Sequence, residues 1–245
     1  MAKKTAAAAH VKQPEAAGPE RGGRRERRIV RQEAALDAAF LLAEREGAGG
    51  LTMRRLSQQL DVDVTVLYRL FRDKDELLLA LCERTLEMIL DEIGEPSPED
   101  PWQDTLRRIA EATWRVQTRF PAITVLTFAR TTGGPAERRL VELQLATLAR
   151  AGLCATDTVT FYRTFVDTTL GLCAHSAALS SLDPQAREKD TTTWARVYAR
   201  LPEGEYPATH AHATQLREVD PKALYDTAVE AILSAVERAT AEPSV

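Results

Sequence analysis

The strongest constraint on the fold lies between Thr52 and Phe71, where two short stretches with helical spacing of apolar residues are separated by only Asp61, Val62 and Asp63. In the first, Met53, Leu56 and Leu60 are the apolar positions and Thr52 is placed to cap them. In the second, Leu67 and Phe71 turn inward, and Asp63 is placed to accept from the freed amides of the first turn. Helices over 53–60 and 64–70 are predicted. A support helix over 29–46 precedes them, with Leu36, Phe40 and Ala43 on one face and Gly47 as its stop. Two short helices about a three-residue turn form a helix-turn-helix unit.

Asp73, Lys74 and Asp75 open a long fourth helix, which stays apolar on a broad side from Leu77 to Ile93 and stops at Gly94. The segment GEPSPEDP, 94–101, holds three prolines and reads as a connection. Beyond it the spacing predicts helices over 102–119, 121–131, 135–151 and 157–182, a polar region to Asp220, and a last helix over 221–240 opened by the Asp220–Pro221 pair. Strand signals are nearly absent. The expected fold class is all-α: an N-terminal three-helix helix-turn-helix domain over 29–80 and a larger helical domain over 81–240, flanked by a disordered basic arm, 1–28, and a flexible tail, 241–245.

Composition narrows the function classes. At 44% hydrophobic and 28% charged, the chain is ordinary for a soluble globular protein, and no run of about 18 apolar residues is present to span a membrane. Residues 1–31 hold nine Lys or Arg against three Glu, a net +6; the whole chain carries −4, so the remainder carries −10. A basic arm on an acidic body suits a phosphate backbone, either by entering the minor groove or as a solubilising tail. Cys82, Cys154 and Cys173 lie far apart with no CxxC, which fits a reducing cytoplasm and neither a disulfide framework nor a zinc site. No GxSxG, P-loop, dinucleotide fingerprint or HExxH occurs, so no enzyme class is supported.

Residues 51–81, LTMRRLSQQLDVDVTVLYRLFRDKDELLLAL, resemble the DNA-binding domain of the TetR family of bacterial repressors. The resemblance rests on Leu51 and Thr52, on Arg54 and Leu56, and on the Leu67–Tyr68 pair with Phe71 and Lys74 behind it. It implies a DNA-binding transcriptional regulator in which Thr52, Met53 and Arg54 approach the backbone and groove edge. Thr65, Val66, Tyr68, Arg69 and Leu70 occupy the recognition helix, and Lys74 clamps a phosphate. By chemistry Arg69 suits a bidentate contact to guanine, while Val66 and Leu70 could pack on thymine methyls. Two positions depart from the family pattern: Asp61 stands where glycine is usual and Leu70 where histidine is frequent.

The rest of the chain resembles the regulatory domain of the tetracycline-repressor branch through Trp102, LVELQLATLARAGL (140–153) and TTLGLCAHSAAL (168–179). That implies a homodimer built on the helices over 157–182 and 221–240, a double-stranded DNA operator as partner, and a small-molecule effector. Trp114, Phe128, Phe161, His175 and Trp194 combine apolar bulk with polar tips and are the candidate effector contacts. His210 and His212 would share one side of an extended loop, but without a third ligand no metal site is expected, and no cofactor. The expected function is repression relieved by a ligand; the alternative is a DNA-binding regulator governed by a protein partner without any small-molecule ligand.

Overall fold

A computed structural model describes residues 19–241, and every regular element among them is helical. In chain order these are α1 (Pro19–Gly50), α2 (Met53–Gln59), α3 (Val64–Leu70), α4 (Lys74–Ile93), α5 (Trp102–Arg119), α6 (Pro121–Thr127), α7 (Pro135–Arg150) and α8 (Ala155–Ser180). There follow α9 (Pro184–Arg196), a 3-10 turn (Tyr198–Arg200), α10 (Pro207–Arg217) and α11 (Pro221–Ala241). None of the described helices is long and apolar enough to cross a membrane.

The expected caps are in place. The Thr52 hydroxyl accepts from the Arg55 amide at 3.2 Å, Asp63 from Thr65 at 2.8 Å, and Asp73 from Glu76 at 2.8 Å. These satisfy amides that have no partner inside their own helices. Gly47 takes φ 71, which breaks the regular run of α1 at the predicted stop, although one more turn follows it. Two expectations are corrected. Residues 19–28, expected in a disordered arm, extend α1, while the first 18 residues of that arm and the tail beyond Ala241 lie outside the described residues. The polar stretch after α8 is not irregular but contains α9 and α10: Asp183 and Pro184 cap and open the first, and Pro207 opens the second. Neither has a strong apolar stripe, which is why spacing alone missed them.

Two apolar cores organise the molecule. The first gathers Phe40 and Leu42 of α1, Leu56 of α2, Leu67 and Leu70 of α3, and Leu77 and Leu81 of α4, with Ala122 and Ile123 of α6 closing it. The second gathers Ile89 and Ile93 of α4 with residues of α5, α7, α8 and α11. Helix α4 therefore contributes one half of its length to each. Phe40 and Phe120 meet edge to face, centroids 4.8 Å apart, adding an aromatic contact between α1 and the α5–α6 corner.

Tyr225 of α11 is the largest fully buried side chain of the second core. Its ring lies 4.8 Å from that of Trp114, and its hydroxyl donates to the Ala110 carbonyl at 2.7 Å; burial holds that hydroxyl far above its ordinary pKa. A buried hydroxyl with a single partner contributes about 1 kcal/mol net. Tyr225→Phe is expected to lower unfolding stability in urea by about that amount, with the slope of the transition unchanged; an undiminished midpoint would show that the bond adds nothing.

Candidate nucleic-acid interface and effector cavity

Helix α3 has two faces four residues apart in repeat. Thr65, Tyr68 and Arg69, at i, i+3 and i+4, are exposed together, Tyr68 by 50%. Leu67 and Leu70 face the core, and Val66 borders a groove shared with Arg31, Ala34, Leu60 and Val62. Leu70, at 8% exposure, is a core residue, so its expected contact with thymine methyls is corrected: sharing a face with Val66 turns it toward α1. Met53 is likewise buried, at 6%, where it anchors the first turn of α2 rather than reaching a groove edge. The Thr52 side chain is half-buried and engaged in its cap.

Arg54 and Arg55 diverge as neighbouring helix positions must. Arg55 is drawn back to Glu46 of α1, Nη1 to Oε2 2.7 Å, whereas exposed Arg54 has no ion-pair partner among the described residues. Lys74, also exposed, stands at the first position of α4 beside the Asp73 cap. Arg54, Thr65, Tyr68, Arg69 and Lys74 thus remain open on the head, a set of hydroxyl and cationic groups suited to phosphate and base-edge contacts. Asp63, beside them, is held below the ordinary carboxylate range by its hydrogen bonds to Thr65 and then by the Arg69 charge.

Asp61 adopts φ 51, the left-handed conformation that glycine takes without strain. The turn geometry is therefore retained despite the missing glycine, and the cost is carried by a residue type that tolerates this region better than most. Asp61→Gly is expected to stabilise the protein by about 0.5 kcal/mol, and Asp61→Val to destabilise it by about 1–2 kcal/mol, in urea unfolding. Equal stability of all three proteins would contradict a strained turn.

Below α4, walls from α5, α6, α7 and α8 line an open-mouthed cavity of about 80 Å³. Leu86, Ile89, Leu140 and Val141 make it mainly apolar, and Gln117, Gln144, Thr113 and Thr169 add polar groups. Past Phe128, Arg130, Glu137 and Tyr162 it continues into an outer lobe bordered by Arg163 and Asp167. Cys82 sits in the wall, its thiol pushed up to about 11 by burial, and buried Cys173 is pushed up to about 12; both behave as small apolar residues.

Of the five expected effector contacts, only Phe128 borders this cavity. Trp114 packs on Tyr225, and Phe161 packs against the second core outside the cavity wall. His175 is exposed on α8, and Trp194 stacks on Tyr198, ring centroids 4.4 Å apart. His210 and His212 lie on α10, where a two-residue offset turns them about 200° apart rather than to one side. No group of three or more metal-ligating side chains forms among the described residues.

The loop before α7 carries contacts that spacing could not reveal. Glu83 of α4 accepts from the Ala136 amide at 2.5 Å and the Thr132 hydroxyl at 2.6 Å, capping α7 from another helix. A Cβ at Gly134 would stand 2.3 Å from the Glu83 carboxyl carbon, so a larger residue there would push this carboxylate off its cap. Arg130 donates twice to Asp75 in the first turn of α4, at 2.6 and 3.0 Å, and this bond holds the Asp75 carboxyl below its ordinary pKa. The sequence motif TTGGP signals only a helix break; Glu83, which meets it, lies 49 residues before Thr132 and 53 before Ala136.

An all-α chain with a helix-turn-helix head and a cavity in its second core has the form of a transcriptional regulator. The chain belongs to the TetR family of bacterial regulatory proteins: residues 35–81 match the model of that family's DNA-binding region, and residues 95–239 match the tetracyclin repressor-like C-terminal domain. The family and its relatives are regulators, not enzymes. A helix-turn-helix transcriptional repressor of Mycobacterium tuberculosis is 32% identical over 149 residues, 59% of this chain and 56% of that protein, so the chain spans about half the length of that relative. Streptomyces coelicolor ActR in complex with actinorhodin shares the fold at 19% identity, with TM-score 0.75 over 86% of this chain and 98% of that one. A TetR variant of Acinetobacter baumannii in complex with minocycline shares it at 17% identity, with TM-score 0.65 over 87% and 96%.

Proposed function

We propose that this regulator is a repressor that binds a palindromic operator as a homodimer and is released by a small molecule bound in the cavity below α4. The observation that carries the DNA-binding half of this reading is the outward face of α3, with Thr65, Tyr68 and Arg69 exposed together. Residues 29–80 form the DNA-reading unit and 81–240 the regulatory one, with α4 common to both. Arg69 reads a base, Thr65 and Tyr68 contact bases or phosphates, and Arg54 and Lys74 hold phosphates.

Pairing uses α8 and α11, which lie side by side and expose Val159, Leu179 and Leu224 at 54%, 41% and 52%. Laid against their copies, they make a four-helix bundle that covers these side chains and sets two recognition helices about 34–36 Å apart. The mycobacterial relative named a repressor supports repression, and the ActR complex with actinorhodin supports control by a ligand. Binding favours a dimer in which α4 has shifted, so the recognition helices no longer match the half-site spacing. The cavity favours this over control by a protein partner alone.

Selection from a random DNA pool at two salt concentrations tests the reading. An inverted repeat with strong salt dependence is expected, while purely unspecific, salt-labile binding overturns it. On the selected site, Arg54→Ala should weaken binding to matched and mismatched sequences alike and reduce the salt slope by about 1, whereas Arg69→Ala should relax specificity at one base pair by about 1–3 kcal/mol. The opposite pattern would exchange the two roles.

A further inference from the structure

The inner wall of the cavity holds two side chains whose hydrogen-bonding capacity the protein leaves unused. Gln144 of α7 is 5% exposed and makes no hydrogen bond among the described residues. Gln117 of α5 is 4% exposed; its Oε1 accepts from the Thr124 hydroxyl at 2.6 Å and its amide N–H groups are left open. No buried polar side-chain atom among the described residues lacks a partner, so the open groups of both amides are reached from the cavity, where a guest oxygen can bond them. The neighbouring threonines do not fill that need, because Thr113, Thr127 and Thr169 each donate to a carbonyl of their own helix at 2.8 Å.

At the mouth, two cations face the space. Arg163 is paired with Asp167 on its own helix at 2.8 Å. Arg130 borders both lobes, and its partner Asp75 belongs to α4. Side-chain exposures of 34% and 58% make this an accessible pair that a competing anion can replace. Glu137 faces the same space but is committed to the Thr132 hydroxyl and the Gly133 amide.

We propose that the cavity takes a mostly apolar molecule with one acidic group at the mouth and a carbonyl or hydroxyl oxygen at its inner end, and that the acidic group takes Arg130 from Asp75. This assignment rests on the ligand-responsive reading above and adds the chemical class of the effector and the bond it breaks. Asp75 lies one residue after Lys74, so loss of the Arg130 contact loosens the first turn of α4 beside the DNA-facing groups. Glu83 stays as the second tie between α4 and the loop, which allows that turn to move without detaching α7.

Calorimetric titration of the full chain with 6-hydroxy-2-naphthoate, 2-naphthoate and 2-naphthol tests both ends of the site. The hydroxynaphthoate is expected to bind best. Loss of the carboxylate, or Arg130→Gln, should weaken it about tenfold, the size of one charge-assisted contact. Asp75→Asn should tighten both acids severalfold and leave 2-naphthol unchanged, and Gln144→Leu should erase the advantage of the hydroxyl. Urea midpoints of the variants verify that each is folded. Equal binding of naphthol and naphthoate, or acid binding unmoved by Arg130→Gln or Asp75→Asn, overturns the proposal. If acid binding follows Arg130 while affinity for the selected operator stays constant, the ligand-responsive reading fails and this site stands; operator release by probes indifferent to Arg130 sinks only the present assignment.

Discussion

The structure depends on one helix being shared by two cores. Leu77 and Leu81 of α4 are fully buried with α1, α2 and α3, while Ile89 and Ile93, two to four turns further along, are buried with α5, α7, α8 and α11. A packed helix does not bend continuously, so displacement at one end must be answered at the other or resisted by both cores. Ala122 and Ile123 of α6 reinforce the arrangement by reaching from the regulatory domain into the head core. The head is therefore not a separable module on a linker but a unit seated on the domain that contains the cavity.

The polar contacts follow the same line. Along α4, Asp75 holds Arg130 and Glu83 caps α7, so the loop between α6 and α7 is tied to the connecting helix at two points about two turns apart. That loop also borders the cavity through Arg130 and Phe128. Apolar packing gives the cavity its walls, and hydrogen bonding gives it direction: the open amide groups of Gln117 and Gln144 on one wall, an accessible ion pair at the mouth.

Much of this was legible in the sequence, for physical reasons that differ from one element to the next. Caps at Thr52, Asp63 and Asp73 are local chemistry, and they locate α2, α3 and α4 almost to the residue. The broad apolar face of α4 foretold burial, though not its division between two cores. Helices α9 and α10 were missed because they bury little and so carry no strong period. Among the residues expected to face DNA, Leu70 and Met53 are buried, because a family pattern assigns positions, whereas the i, i+4 geometry of short helices decides which of them turn inward. The cavity was the least legible region. Bulky aromatics such as Trp114 and Phe161 proved to be packing residues, while its distinctive groups, Gln117, Arg130 and Gln144, come from three separate segments and meet only in the folded chain.

The coupling of the two cores through α4 is most directly tested by native-state hydrogen exchange of Ile89→Ala. Ile89 belongs to the second core alone, and its truncation should cost about 2–5 kcal/mol there. If α4 joins the head and the regulatory domain into a single cooperative body, amides of α2 and α3 lose protection by a similar free energy. Loss confined to α5, α7, α8 and α11, with protection in the head unchanged, would contradict a shared helix as the link between cavity and DNA.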